Sequence, residues 1–289
     1  MNEPSFQALS QIYFLKRLAQ QRKVSAQTIN SYRDKFRIYL EFLKGRDYID
    51  AQSVDIEHFG REYILEFCHY LEEKRSNKAN TINNRLAAIR SFLKFVAEQN
   101  PEYSGIVKYS LMVPFQKEEK ATMDFVTKDE FDVMVCLCDM STPINARDKL
   151  MIMILYNSGI RVSELLSLKY KDIHCLDNPG NASLHIFGKG RKERNVPLWK
   201  TTAKYITKYT DSFGISGDNR LFKNKNGDNL TRSGVRSRIE KLTALAAEKV
   251  PTLLCKNVTA HTFRHSVAMN LLQAGVDIST IAIWLGTQV

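Results

Sequence analysis

The sequence lacks the features of membrane, secreted and disulfide-bonded proteins. No uninterrupted apolar run approaches the roughly 20 residues that a helix needs to span a bilayer. The N-terminus, Met1–Ser5, has no basic stretch followed by an apolar one, so it does not resemble a secretory signal. We therefore predict a cytoplasmic protein without a membrane partner. Cysteine is scarce, and the five cysteines are odd in number and lack zinc-ligand spacing: Cys68, Cys136, Cys138, Cys175 and Cys255.

Acidic residues are too few to balance the basic ones. The chain has 42 Lys and Arg against 31 Asp and Glu, a net charge of +11, and its pI is near 9.3. The excess is present in both halves, with 19 basic and 15 acidic residues in 1–120 and 23 and 16 in 121–289. Such a charge suits nucleic acid or an acidic membrane surface, although it also serves solubility alone. The 289 residues, 44% hydrophobic and 25% charged, predict about two globular domains.

The N-terminal part is predicted to be a bundle of four helices, because apolar residues recur there at three- and four-residue spacing. Ser25 is a candidate N-cap of the second helix, and Gly45 is a candidate C-cap. Residues 101–124 lose this periodicity, and the charged segment 114–124 is predicted to be a linker. The predicted helices are Phe6–Gln21, Thr28–Leu43, Ile56–Glu73 and Asn80–Gln99, within a domain of residues 1–113.

The start of the fourth predicted helix is basic and rich in amides. It carries Lys78, Thr81, Asn84 and Arg85, which are residue types that contact phosphates and base edges in protein–DNA complexes. An ordinary solvated helix face explains the same residues equally well. We treat the four as candidate DNA-binding residues.

A second group of candidates follows a strongly apolar predicted helix, Arg147–Asn157. Ser158–Gly159 breaks that helix, and a short helix, Arg161–Leu168, follows. Arg161 and Glu164 lie one turn apart on it and therefore share a face. An arginine in this position can be held rigidly at the centre of a domain, or the two residues can form a plain surface ion pair.

A basic β-hairpin is predicted, with Ser183–Phe187 as one strand and Asn195–Leu198 as its return. The turn contains Lys189 between two glycines, which permit close approach of another chain. The lysine can reach a phosphate or a leaving group, although most charged turns are simply solvated. Further basic residues follow the turn: Arg191, Lys192 and Arg194.

His261, Arg264 and His265 lie at positions that one helix face brings together. Two histidines four residues apart can bind zinc, but the metalloprotease version has a glutamate directly after the first histidine. Thr262 stands there instead, and Arg264 would repel a cation, so no metal is predicted. The alternative is a helix–turn–helix formed by residues 266–274 and 278–285.

These three segments, in this order, resemble the tyrosine recombinase (phage integrase) family. The matching text is GIRVSEL at 159–165, GKGRKERNVPL at 188–198, HTFRH at 261–265 and WLG at 284–286, with TINSY at 28–32 and TINNRL at 81–86 similar to the family's core-binding domain. The resemblance covers nearly the whole chain. It implies a mainly α fold with a small β-sheet, in which a four-helix core-binding domain precedes an α+β catalytic domain at residues 125–289.

Members of the family cut DNA by attack of a tyrosine on a phosphodiester, which leaves a 3′-phosphotyrosyl link and a free 5′-hydroxyl, and then rejoin the strand to a new partner. The resemblance implies that Arg161 and Arg264 stabilise the charge that develops on the phosphate oxygens. It implies that Lys189 protonates the leaving 5′-oxygen. His261 is implied to act as an acid–base group near neutral pH.

The same resemblance implies supporting roles for Glu164, which would orient its neighbours, and for His265. It implies no metal and no other cofactor, since the arginines supply the electrostatic stabilisation that a divalent ion supplies elsewhere. The implied partner is double-stranded DNA, on which the protein would self-associate. Arg191, Lys192 and Arg194 join the N-terminal candidates as DNA-binding residues.

The sequence departs from the family pattern after Gly286. The family has a histidine at the next position and the nucleophilic tyrosine further on, whereas this sequence has Thr287-Gln288-Val289. The last tyrosine, Tyr209, precedes the His–Arg box and is not a candidate nucleophile. We therefore expect a C-terminally truncated site-specific integrase of a mobile element, which binds DNA and does not cleave it alone. The alternative is a catalytically dead DNA-binding protein that occupies recombination sites or regulates.

Overall fold

The computed structural model describes residues 5–119, 123–188 and 193–287. By its internal contacts the chain divides into two compact units, residues 1–120 and 121–289. Each unit has its own hydrophobic core. Within the described ranges, no helix combines the length and the hydrophobicity that a bilayer crossing requires.

The described part of the first unit is helical. All four predicted helices are present, but the third is interrupted at Gly60, so that a 3₁₀ turn at Glu57–Phe59 precedes its α-helical part. The first helix changes to π geometry over Tyr13–Gln21. The α-helices are α1 (Phe6–Ile12), α2 (Ala26–Asp47), α3 (Arg61–Glu73), α4 (Ala79–Gln99) and α5 (Ser104–Leu111).

The two predicted caps of α2 have different outcomes. Ser25 is the N-cap, and its hydroxyl accepts a hydrogen bond of 3.2 Å from the Thr28 amide. The prediction of Gly45 as C-cap is wrong. The amide of Tyr48 donates to the carbonyl of Lys44, so the helical hydrogen-bond pattern continues past the glycine and ends at Tyr48, which is left-handed with φ +58°.

A short helix, α5, lies in the segment after residue 100 where the sequence shows no apolar periodicity. Only Val107 and Ser110 of this helix are buried, so its apolar pattern is too sparse to predict it. The Ser110 hydroxyl donates to the carbonyl of Phe59 at 2.9 Å, which ties α5 to the turn before α3. This contact makes α5 an integral part of the first unit.

An aromatic cluster fills the core between α2 and α4. The rings of Tyr13, Phe36 and Phe59 surround Phe92 with centroid separations of 5.4, 5.4 and 5.5 Å. Two of these pairs meet edge to face, which is a favoured geometry of aromatic side chains. The cluster fixes the separation of α2 and α4, and their polar faces line a groove.

The second unit combines seven helices with one small sheet in its described part. Its helices are α6 (Lys128–Cys136), α7 (Pro143–Ser158), α8 (Val162–Ser167), α9 (Lys200–Ser212), α10 (Arg232–Ala247), α11 (Ala260–Gln273) and α12 (Ile278–Leu285). Its strands are β1 (Ile173–His174), β2 (Ser183–Phe187) and β3 (Glu193–Pro197). The sheet is antiparallel in the order β1-β2-β3.

The predicted hairpin is present as β2 and β3, paired from Ser183–Pro197 to Phe187–Glu193. Its return strand begins two residues earlier than predicted, and β1 adds a third strand that the sequence analysis did not identify. Lys189, Arg191 and Lys192 lie outside the described residues. Along β3, Arg194 and Val196 occupy the same face because strand side chains alternate.

Helix α7 forms the centre of the second unit, and nearly all of its residues are buried. A buried ion cluster joins it to α10. Asp148 is fully buried and accepts hydrogen bonds from Arg147 and from Arg238. At the other end of α7, the carbonyl of Ser158 accepts a hydrogen bond of 3.2 Å from the indole of Trp284 on α12. Packing at both ends therefore fixes the turn that follows α7.

Candidate active site and nucleic-acid interface

The turn between α7 and α8 requires a glycine. Gly159 is left-handed, with φ +63°, and a Cβ atom built on it would lie 2.7 Å from a methyl carbon of Leu285. The turn leads directly to Arg161, the residue that precedes α8. The backbone amide of Arg161 donates to Glu164 Oε2 at 2.9 Å, which closes the first turn of the helix. Gly159 thus lets the arginine segment approach α12 closely.

Glu164 is the buried acceptor at the centre of the site, with 4% of its surface exposed. Its Oε1 accepts a bond of 3.0 Å from Arg161 Nη1. Arg194 binds both carboxylate oxygens, with Nη1 at 3.2 Å from Oε1 and Nη2 at 2.9 Å from Oε2. Burial opposes ionisation of this carboxyl, but the bonds from Arg194 and Arg161 outweigh it and lower its pKa. Glu164 is therefore an anion shared by two arginines.

Arg264 extends from α11 into the same place. It is 6% exposed, and its Nη1 and Nη2 donate to the carbonyls of Gly159 and Leu285 at 2.8 and 2.6 Å. Burial, followed by the positive charge of Arg161, lowers the pKa of Arg264 to about 10. It remains a cation at neutral pH.

The C-terminal end of α12 stabilises this concentration of positive charge. Three successive carbonyls accept bonds from three arginines: Trp284 from Arg194 at 3.0 Å, Leu285 from Arg264 at 2.6 Å and Gly286 from Arg161 at 3.0 Å. The last carbonyls of a helix have no partners within the helix and carry its partial negative charge. The end of α12 therefore supplies acceptors and compensating charge without a second carboxylate.

His261 and His265 lie one turn apart on α11, with ring centroids 4.4 Å apart in an edge-to-face arrangement. His261 is exposed. His265 Nε2 is buried and has no hydrogen-bond partner among the described residues. Burial, then His261 and Arg264, lower the pKa of His265, so its ring is neutral at pH 7. Of the two, His261 is the one that solvent and a substrate can reach.

The structure brings most of the candidate catalytic residues together. Arg161, Glu164, Arg264 and the two histidines belong to one cluster, which Arg194 also joins. Arg194 had been predicted to bind DNA, but its donors are directed to Glu164 and to the Trp284 carbonyl and its side chain is only 11% exposed. The structure thus commits it to a neighbouring carboxylate instead of a surface contact. Its position on the same face of β3 as the buried Val196 was the available signal.

Two guanidiniums that converge on the end of one helix are chemically suited to bind a phosphate oxyanion. Arginines bind phosphate oxygens with charge-assisted hydrogen bonds, which are strongest where water is partly excluded. Arg161 retains accessible donor surface, with 36% of its side chain exposed. Among the described residues no group of three or more His, Cys, Asp or Glu side chains is arranged to hold a metal ion.

In the first unit, α2 and α4 line a polar groove with a volume of about 630 Å³. Thr81, Asn84 and Arg85 lie in its wall, whereas Lys78 is exposed just before α4 and outside the lining. The sequence analysis missed the contribution of α2, whose amides, hydroxyl and cation face the candidates on α4. The residues from α2 are Gln27, Asn30, Ser31, Asp34, Lys35 and Ile38.

Among the described residues, Arg85 and Lys35 form no ion pair with a carboxylate, although Asp34 also lines the groove. Arg85 Nη1 is buried and has no hydrogen-bond partner among the described residues. Burial and the charge of Arg75 lower the pKa of Arg85, and burial and Arg85 lower that of Lys35. Mutual repulsion of these cations favours an anionic ligand in the groove. Amides beside guanidinium and ammonium groups are also the set that reads base edges.

Comparisons with known proteins cover both units. The sequence model of the Phage integrase family matches residues 124–287, and that of the Phage integrase N-terminal SAM-like domain matches residues 12–100. A Sinorhizobium fredii protein named as an integrase/recombinase, y4rC, is 34% identical over 282 residues, 98% of this chain and 84% of that protein. The tyrosine recombinase XerD of Oceanobacillus iheyensis is 33% identical over 273 residues, 92% of this chain and 85% of that protein.

Solved structures share the fold at lower identity. The XerH site-specific recombinase bound to its palindromic difH substrate is 22% identical, covers 93% of this chain and 75% of its own, and has a TM-score of 0.72. The Tn1549 transposon integrase in complex with a circular intermediate DNA is 17% identical, covers 97% and 92%, and has a TM-score of 0.74. The predicted fold class, mainly helical with a small antiparallel sheet, is confirmed.

Proposed function

The chain belongs to the phage integrase family of tyrosine recombinases, and we propose that it binds duplex DNA in site-specific recombination and engages one phosphate at Arg161 and Arg264. The observation that carries this proposal is the convergence of both guanidiniums on the end of α12, with the exposed His261 one turn from Arg264 on α11. The solved relatives XerH and Tn1549 integrase were each captured on DNA. The groove between α2 and α4 supplies a second DNA contact, through Arg85 and Lys35.

In the proposed reaction, a tyrosyl oxygen attacks the phosphorus and the bond from phosphorus to the 5′-oxygen breaks. Arg161 and Arg264 stabilise the charge on the non-bridging oxygens, and Glu164 holds Arg161 in place. His261 acts as the acid–base group that takes the proton released by the attacking tyrosine hydroxyl. Lys189 protonates the 5′-oxygen as it leaves, by the resemblance of its hairpin to the family.

No tyrosine within residues 1–289 is a candidate for this nucleophile. The family pattern has it beyond Gly286, and Tyr209 is 5% exposed with its hydroxyl donating to the carbonyl of Leu221. Covalent catalysis needs the nucleophile. We therefore expect a polypeptide of residues 1–289 to bind DNA, with self-association on the duplex, and to leave the strands uncut.

The test begins with selection of binding duplexes from a random pool by the 289-residue polypeptide. The selected duplexes are then assayed by gel shift at several salt concentrations. For the cleavage assay, the protein is incubated with versions of each duplex that carry a nick next to one phosphate at a time. We expect log K to fall with log salt with a slope of about 0.9 per phosphate neutralised, and no covalent protein–DNA band on a denaturing gel. A binding constant independent of salt would contradict the DNA contact, and a covalent band would contradict the expected lack of cleavage.

A further inference from the structure

Arg194 connects three segments of the candidate site through one side chain. It lies on β3, the second strand of the hairpin. Its two terminal nitrogens bind Glu164, and its Nε donates to the carbonyl of Trp284 at 3.0 Å. The hairpin, the arginine turn before α8 and the end of α12 therefore share one guanidinium.

The two-pronged binding of Glu164 by Arg194 limits the hydrogen bonds that Glu164 can form with Arg161. Because Arg194 engages both carboxylate oxygens, Arg161 forms only one side-chain bond to Glu164, through Nη1. Its Nη2 donates to Gly286, and its remaining N–H groups are available to a ligand. Without Arg194, only the Arg161 amide would still hold Glu164 Oε2, and the carboxylate could turn to bind the Arg161 guanidinium with both oxygens, which is the preferred geometry of that pair. The phosphate-binding donors of Arg161 would then be turned inward.

The backbone at Gly286 makes room for the guanidinium of Arg194. Gly286 is left-handed, with φ +63°, and a Cβ atom built there would lie 2.8 Å from Arg194 Nη1 and 3.1 Å from its Cζ. A side chain at this position would displace Arg194 even though every charge of the cluster would remain. Gly286 thus offers a second way to move Arg194.

We propose that Arg194 is a positioning residue, which keeps Arg161 and Arg264 in the geometry that binds a phosphate. The inference rests on the proposed function, because it assigns phosphate binding to that pair. Lysine cannot replace Arg194, because an ammonium is a point charge and lacks the two parallel N–H donors that bind both oxygens of Glu164.

A positioning role for Arg194 can be distinguished from a purely structural one, because Arg238 provides a matched control. Arg238 binds the fully buried Asp148 in the same unit and, in the described structure, forms no hydrogen bond or ion pair with Glu164. Both Arg194→Ala and Arg238→Ala leave a buried carboxylate with one arginine partner, Arg161 or Arg147. Both variants should therefore lose stability, but only the first should change phosphate binding at Arg161 and Arg264.

The experiment titrates inorganic phosphate into the ¹⁵N-labelled 289-residue polypeptide and follows the Nε–H resonances of individual arginines. Site-resolved signals separate the pair from the cations of the α2–α4 groove. In the unsubstituted protein, Arg161 and Arg264 should shift saturably. In Arg194→Ala and Arg194→Lys the dissociation constant should rise about ten-fold, equivalent to about 1.4 kcal/mol. Arg238→Ala should retain the original constant, and unfolding by urea records the stability of each variant.

Gly286→Ala should weaken phosphate binding in the same direction, since it displaces Arg194 and removes no charge. Unchanged phosphate constants in Arg194→Ala, or full restoration by Arg194→Lys, would overturn the inference while the proposed function stands. An equal loss in Arg238→Ala would also overturn it, because the effect would then follow stability. Absence of any response at Arg161 and Arg264 in the unsubstituted protein would contradict the proposed site and the inference together.

Discussion

The cluster around Glu164 in the second unit and the groove of the first unit hold their arginines in opposite ways. In the second unit, Arg161, Arg194 and Arg264 are held by Glu164 and by three carbonyls at the end of α12. In the first unit, Arg85 has a buried nitrogen without a partner among the described residues. A fixed pair suits one phosphate whose charge changes during a reaction, because its donors need no reorganisation. Loosely held cations suit a long duplex, whose backbone and bases they meet in varied positions.

The same difference predicts how strongly the charged residues of each region affect the stability of the folded protein. Cations that share a buried carboxylate contribute to stability, and loss of the carboxylate leaves them uncompensated. Cations crowded in a groove repel one another and contribute little until an anion arrives. Substitutions in the second unit's cluster should therefore change stability strongly, whereas substitutions in the groove should change binding and leave stability nearly intact.

The largest expected effect is that of Glu164→Ala, which removes the one carboxylate that the described residues place beside Arg161, Arg194 and Arg264. The free energy of unfolding should fall by about 3–5 kcal/mol, as when one partner of a buried ion pair is removed. Urea unfolding at pH 7 measures it. Glu240→Ala removes a carboxylate from the exposed pair with Arg236 and should cost less than about 1 kcal/mol. A similar loss in the two variants would contradict the special role of the buried cluster.

Arg85→Ala should produce the reverse pattern in the groove. DNA binding should weaken by about 1–3 kcal/mol, and the salt slope should decrease by about 1 if the lost contact is to a phosphate. The free energy of unfolding should change by less than about 0.5 kcal/mol, since this residue's buried nitrogen forms no hydrogen bond in the described structure.

Arg37→Ala is the matched control for the groove. Arg37 lies on α2 but pairs with Glu41 and does not line the groove. It should bind DNA nearly as tightly as the unsubstituted protein. Equal losses of affinity in the Arg37 and Arg85 variants would show that overall charge, and not the groove, determines binding.

The residues of the site were more predictable than their partners. Arg161, Glu164 and Arg264 are identified by short motifs, because a helix end and a three- or four-residue spacing fix their local placement. The bond between Glu164 and Arg194 joins residues 30 positions apart and depends on how β3 packs against α8. Strand alternation predicts which face of β3 carries Arg194, but it does not predict that Glu164 will be its partner on that face.

The groove shows the same limit in the first unit. Helices α2 and α4 are predictable from their apolar periodicity, which identifies the faces that pack. The polar faces meet because the aromatic cluster around Phe92 sets the angle and separation of the two helices. Gln27 and Lys35 are ordinary surface residues until that packing is known. Helix α5 was missed for a related reason, since its buried side includes only Val107 and Ser110.

The smallest expected effect is a pH dependence that only the second unit's cluster should show. His265 has a lowered pKa in the folded protein, caused by burial and by the neighbouring His261 and Arg264. As pH falls below the unfolded value of about 6.5, the unfolded chain takes up a proton that the folded ring resists, so stability declines. The decline should level off once pH passes below the folded pKa.

Urea unfolding between pH 8 and pH 5 measures this decline, and His265→Gln should reduce it by removing the group that titrates. The two profiles should run parallel near pH 8, where the ring is neutral in both states, and diverge toward pH 5. Arg85→Ala is the control from the other region, because no histidine lines the groove, and its profile should follow that of the unsubstituted protein. A His265→Gln profile parallel to the unsubstituted one down to pH 5 would mean that the buried ring does not resist protonation. His265 would then no longer support the contrast between the two regions, in which burial sets the charges of the cluster and the cations of the groove are free to bind a ligand.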